Sequence, residues 1–148
     1  MELEKEIFQT AFKSERQKAT INLIFTHNWV THQMKREFLP YDITLQQFNI
    51  LRILRGQYPS PANINLLKER MLDKMCDASR IVDRLKEKEL IAKCVNKKDR
   101  RAAEVMISQK GLDLLATIDR EQDEDRIMNN LSEEEAQTLN ALLDKIRG

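Results

Sequence analysis

The chain has little that breaks or stiffens a backbone. Three glycines and three prolines in 148 residues exclude a flexible or Pro-rich linker, a collagen-like repeat and the turn-dense pattern of an all-β sandwich. Two cysteines, Cys76 and Cys94, stand 18 residues apart with no second pair and no neighbouring histidine. That spacing is neither a zinc ribbon nor a CxxC redox motif, and a disulfide is not expected in a reducing compartment. Aromatic residues make up only 5%, so the core must be mostly aliphatic. No apolar run approaches the roughly 18 residues of a membrane span, and the acidic, broken start MELEKEIFQ is unlike a signal peptide; the expected location is the cytoplasm. No GxSxG, P-loop or HExxH is present. Neither an enzyme nor a bound cofactor is therefore expected.

Charge is plentiful but balanced. Twenty-five Lys and Arg face 24 Asp and Glu, for a net charge of +1. Its distribution is uneven. Between Ser60 and Gly111 thirteen cations face eight acids, a local +5, and the remainder carries −4. A basic middle between more acidic ends suits a nucleic-acid-facing module on a solvated scaffold.

Helix-start signals divide the chain. Leu3, Ile7, Phe8 and Phe12 suggest a short first helix. Ser14-Glu15-Arg16-Gln17 fits a capping box, predicting a long helix that ends before Pro40, because Leu39 should be pushed out of the α region. Thr44-Leu45-Gln46-Gln47 is a second box, opening a helix to about Gln57 with Phe48, Leu51 and Leu54 inward. Asn63 caps a short helix, Ile64 to Met71. Ser108 opens a helix to about Asn129, and Ser132-Glu133-Glu134-Glu135 is a third box before the last helix. The expected fold is mainly α with a small β-ribbon, in a single domain 1–148.

The most informative stretch runs from Lys74 to Gly111. Asp73 is the expected N-cap of a helix whose stripe of Met75, Ala78, Ile81, Val82 and Leu85 faces inward. The opposite face carries Cys76, Asp77, Arg80, Asp83, Arg84 and Glu87, with Ser79 on its flank. Alone, such a face would be read as solvated surface. The residues after the helix point elsewhere. Ile91 to Val95 is strand-like, Asn96 to Arg101 is a turn holding Lys97, Lys98, Arg100 and Arg101, and Val105 and Ile107 then alternate with Glu104 and Met106. Four cations at the tip of a hairpin suit a narrow anionic groove. A basic helix leading into such a ribbon is a recognition helix with a wing, and the preceding helix completes a helix-turn-helix.

DRRAAEVMISQKG resembles the wing of the MarR family of bacterial winged-helix transcription regulators, and ASRIVDRLKEKELI resembles that family's recognition helix. Ser79, Arg80, Val82, Asp83, Arg84 and Leu85 carry the match, with Asp99, Arg101 and Gly111. It is tight over about forty residues and loose from about Ser14 to Ile146. One position departs from the pattern: the family usually has Gly where this chain has Glu89, at the end of the recognition helix.

The resemblance implies a homodimeric DNA-binding regulator, with a winged helix-turn-helix at about 44–108 and dimerisation helices at 1–38 and 109–148. The terminal helices agree, because Ile7, Phe8, Phe12, Leu139, Leu142 and Ile146 are apolar positions that a thin arm cannot bury alone. The expected partner is a pseudo-palindromic double-stranded operator, bound as a repressor would bind it. Candidate DNA-binding residues are Lys74, Cys76, Asp77, Ser79, Arg80, Arg84, Lys97, Lys98, Asp99, Arg100 and Arg101. Arg80 suits guanine O6 and N7, and Arg84 suits phosphate. Asp77 either orients Arg80 or accepts from a cytosine amino group. In the family, the Asp and Arg of the D-x-R motif are paired, which implies that Asp99 orients Arg101 into the minor groove. The alternative is a winged-helix protein-interaction module whose basic wing only decorates a surface.

Further candidates are weaker. Cys76, near a helix N-terminus and on the groove side, is expected to have a lowered thiol pKa. The family's peroxide-sensing branch keeps its reactive cysteine in the first helix, where this chain has none. Phe25, Trp29, Tyr41 and Phe48 are candidates for lining a cleft between the arm and the DNA-binding lobe, although core packing explains them equally well. The resemblance implies a small aromatic or phenolic effector there. His27 and His32 are five residues apart and share no helix face, so no metal site is expected. The acidic run from Asp119 to Asp125 lacks the glycine and spacing of an EF-hand.

Overall fold

A computed structural model of the chain describes residues 1–95, 98, 103–123 and 125–148. The first helix, α1, is a single turn, Leu3–Glu6. It is shorter than the apolar spacing suggests. Phe8 comes next in a left-handed conformation at φ 53° and is 96% exposed. Ser14 Oγ accepts from Gln17 N at 3.1 Å and opens α2, Glu15–Phe38. The Gln17 side chain accepts from Lys13 N rather than Ser14 N, so this box closes one residue further out than expected.

The end of α2 is a correction. Leu39 is not pushed out of the α region; it lies at φ −54°, ψ −42°. The chain tightens there into a 3-10 turn, Leu39–Tyr41, with Pro40 near its start, where a fixed φ and a missing N–H cost nothing. Asp42, at φ 53°, then reverses the chain.

Thr44 and Gln47 exchange both bonds of their capping box at 3.1 Å each, and α3 runs Leu45–Gln57. A two-residue strand, β1, Ala62–Asn63, leads into α4, Ile64–Arg70, whose N-cap Asn63 accepts from Leu66 N at 2.9 Å. Helix α5, Ala78–Glu87, precedes β2, Ile91–Val95, and β3, Ala103–Ile107. The antiparallel pairs run from Ile91 opposite Ile107 to Val95 opposite Ala103. Strand β1 pairs with the other edge of β3, Ala62 opposite Val105, so the expected two-stranded ribbon is a three-stranded sheet of order β1-β3-β2. Two residues are too few to show a period of two.

Ser108 caps α6, Gln109–Glu121. This helix stops eight residues short of the expected Asn129. Gln122 is extended, and the Asp123 carboxylate accepts from Asp125 N at 3.1 Å, a local bond that competes with helix continuation. A 3-10 turn, Arg126–Met128, comes after it. Ser132 and Glu135 close a full capping box before α7, Glu133–Arg147.

The core lies in the middle of the chain. Ile50, Leu51 and Leu54 of α3, Leu67 of α4, Val82 and Leu85 of α5, Val105 of β3 and Leu115 of α6 are fully buried together. Each large aliphatic side chain so buried contributes roughly 1.5–3 kcal/mol. By contrast α2, 24 residues and about 36 Å long, buries only Phe38, and α7 buries no residue. The arms therefore project from a packed lobe.

Candidate nucleic-acid interface

Helix α5 is fixed at both ends. Its N-cap is Asp77, which accepts from Arg80 N at 3.1 Å, and not Asp73. Asp73 lies four residues earlier, in the turn after α4, where its carboxylate accepts from Met75 N at 2.9 Å and from Gln46 Nε2 at 3.1 Å. A side chain that satisfies its own turn is unavailable as a helix cap. The helix therefore starts later than its apolar spacing suggests, and Met75 leaves the inward stripe; Ala78, Val82 and Leu85 form it, with Ile81 half-buried.

At the other end the family's glycine position is Glu89. It adopts the left-handed conformation, at φ 59°. Glu89 N donates to Lys86 O at 2.9 Å and Leu90 N to Leu85 O at 3.1 Å, which together are a Schellman motif. Leu85 and Leu90 are both buried, supplying the motif's apolar contact. The helix end is thus kept without glycine. Gly111 serves a separate need. A Cβ there would lie 2.3 Å from Leu90 O and 2.7 Å from Ile107 Cγ1, so only glycine lets α6 approach the start of the wing this closely.

The outward face of α5 carries Ser79, Arg80, Asp83, Arg84 and Glu87, all exposed. Arg84 pairs with Glu87 at 3.1 Å, and Asp83 with Lys86 at 3.2 Å. Arg80 makes no ion pair with a described residue, leaving its guanidinium free for a ligand. The Asp77 carboxylate holds the Arg80 backbone N–H at the start of the helix. Lys74 is exposed and donates to Glu69 O at the end of α4. Lys98 is exposed in the wing turn. Lys97, Asp99, Arg100 and Arg101 lie outside the described residues.

Cys76 also departs from expectation. It precedes the N-cap, is half-buried and packs against the core. Burial, and next the charge of Asp73, push its thiol above the ordinary value rather than below it. Nothing in the residue pattern from Lys74 onward distinguishes a helical Cys76 from a turn; only the hydrogen bonds of Asp73 do.

One strap escaped the sequence reading. The Lys88 ammonium, at the C-cap of α5, reaches the Asp42 carbonyl and lies 3.3 Å from its carboxylate, and Lys110 Nζ donates to Lys88 O at 2.9 Å. Helix α5 is thereby tied to the turn after α2 and to α6. No local pattern signals a pairing across 46 residues.

The four candidate effector aromatics are not brought together. Phe48 lines a cavity of about 160 Å³ between α2, α3 and α6, alongside Met34, Glu37, Arg52, Ile118 and Gln122. Tyr41 lines a different cavity of about 370 Å³, with Lys88, Leu90 and Lys110, and donates to Glu121 Oε2 at 2.6 Å. That bond to a carboxylate raises the phenol's pKa. Phe25 and Trp29 line neither cavity. The helical rise contributes: Trp29 stands five residues before Met34, the cavity's first α2 residue, about 7.5 Å further up α2. Among the described residues no His, Cys, Asp and Glu group could hold a metal, and no helix is long and apolar enough to cross a membrane.

No family model matches the sequence, and no curated protein matches it. Solved structures do. A cysteine-to-serine mutant of MarR from E. coli, complexed with operator DNA, is 22% identical over 93% of this chain and 99% of its own, with a TM-score of 0.77. A MarR transcription factor from Planctomyces limnophilus is 26% identical over 90% of this chain and 98% of its own, at TM-score 0.67. BpsR of Bordetella bronchiseptica, whose DNA binding is regulated by 6-hydroxynicotinic acid, is 20% identical over 88% and 99%, at TM-score 0.72. The chain has the winged-helix fold of the MarR transcription regulators over most of its length.

Proposed function

We propose that this chain is a homodimeric transcription regulator of the MarR type that binds double-stranded DNA sequence-specifically in the cytoplasm. The observation that carries the reading is the free Arg80 guanidinium on the outward face of α5, a helix capped at both ends and joined directly to a wing. The fold shared with an operator-bound MarR supports it. Phosphate neutralisation by Lys and Arg supplies most of the affinity. Base reading falls to the N-terminal half of α5 in the major groove, and Arg101 reaches the minor groove from the wing. Residues about 44–108 form the DNA-binding unit of a single domain; 1–38 and 109–148 pair the two copies. The operator is then a pseudo-palindrome with half-site centres about 10 base pairs apart. Occupying a promoter would make the protein a repressor.

The cavity between α2, α3 and α6 touches both arm and lobe. An effector seated there would change the separation of the two recognition helices by favouring one of two arrangements. BpsR, with the same fold, is regulated by a small molecule, which supports this finer reading.

Selection of bound DNA from a random pool tests the function. A salt-sensitive pseudo-palindromic consensus is expected. Arg80→Ala should then cost about 1–3 kcal/mol on the best site and relax the preference at one base pair per half-site. Equal loss on all sequences would make Arg80 a phosphate contact. Absence of any salt-sensitive binding would favour the protein-interaction module instead.

A further inference from the structure

Among large apolar side chains Met75 is 93% exposed and Leu72 82%, and both lie in the turn between α4 and α5. This turn is not loose. Its flanking side chains point inward: Met71 is buried and Cys76 packs against the core. Asn49 Oδ1 accepts from Leu72 N at 2.9 Å. Asp73 accepts from Met75 N and from Gln46, binding the turn to α3. A segment held by two polar side chains of α3 thus carries an unbranched apolar side chain into solvent, two residues before the N-cap of α5. Folding does not use that side chain.

Charge narrows what it meets. From Leu72 to Asp77 the turn holds Asp73, Lys74 and Asp77, a net negative charge that makes it a poor seat for phosphate. An apolar group beside acids, at the helix end that enters the major groove, suits the groove floor. There the thymine 5-methyl is the one apolar group among the base edges. We infer that Met75 is a specificity-determining residue that packs on a thymine methyl beside the position read by Arg80. This rests on the DNA-binding reading above. Met75 is flexible and polarizable enough to follow the groove wall.

The test uses the full chain and its selected operator. Each thymine is replaced in turn by deoxyuridine, which removes only the methyl. Dissociation constants are measured for the native chain and for Met75→Ala. With the native chain, one symmetric pair of positions should lose about fourfold per half-site, the worth of one buried methyl group. Met75→Ala should lose a similar factor on the thymine site and no longer distinguish thymine from uracil there. Met75→Leu should retain part of the discrimination. Unchanged melting of all variants is expected, because the side chain is exposed in the folded protein. The inference is overturned if no thymine shows the effect, if Met75→Ala still discriminates, or if Met75→Ala leaves affinity for the operator unchanged; in the last case the exposed pair faces another macromolecule. If the native chain selects no DNA at all, the functional reading itself fails, an outcome distinct from the three above.

Discussion

Glu89 occupies a conformation that glycine adopts freely and other residues adopt at a cost of order 1–3 kcal/mol. Its carboxylate recovers little of that, since the nearest cation, Lys110, is 3.8 Å away and both groups are exposed. Glu89→Gly should therefore raise stability by about 1 kcal/mol in urea unfolding, after the added freedom of the unfolded chain is subtracted. A neutral or destabilising result would mean that the exposed carboxylate does more than the geometry indicates. Cys76 offers a second residue-scale test. Its thiol is raised, so at neutral pH the folded protein holds it protonated and alkylation by iodoacetamide should be slower than in the urea-unfolded chain. Because folding favours the protonated form, this contribution to stability is present below the ordinary thiol value and is lost as pH rises through the raised folded one. Faster alkylation of Cys76 in the folded protein would contradict the assigned burial.

At the scale of elements, the junction of α6 with the wing is held by close backbone approach. Gly111→Ala places a methyl against Leu90 O and Ile107, and should cost about 1–3 kcal/mol as overpacking does. Because Leu90 comes just after the end of α5, DNA affinity should fall as well. Thermal unfolding and a gel shift on one preparation check both. The wing has a sharper test. If Asp99 orients Arg101, then Asp99→Asn weakens DNA binding although it removes an anion, and adds little to the loss from Arg101→Ala. Arg101→Ala should also reduce the salt slope by roughly one unit per subunit. Tighter binding by Asp99→Asn, or full additivity in the double variant, would sink the paired wing.

At the scale of the molecule, α7 buries none of its residues, while Leu142 and Ile146 are 54% and 68% exposed, and Leu23 and Ile24 of α2 are exposed too. A 15-residue helix that buries none of its residues is marginal in water. A second copy is the proposed cover. Removing residues 132–148 should convert a dimer to a monomer in analytical sedimentation and weaken operator binding, because each half-site would then be bound singly. An unchanged dimer mass would place the interface elsewhere.

What the amino-acid order determined by itself was local. Caps at Ser14, Thr44, Asn63, Ser108 and Ser132 are side chains bonding backbone three residues on, and the strand alternation of Val105 and Ile107 is a period of two; neither needs the rest of the chain. The helix, the wing and the outward place of Arg80 came from such signals. Tertiary structure decided whatever depends on partners distant in sequence. Gln46 and Asn49 of α3 take hold of the turn at Leu72–Met75, so α5 begins at Ala78 and Met75 points out. Val105 finds Ala62 and adds a third strand. The length of α2 separates Trp29 from Phe48, and one expected cleft becomes two unrelated cavities. Local bonds are enforced by covalent neighbours, whereas these others exist only after the lobe has packed.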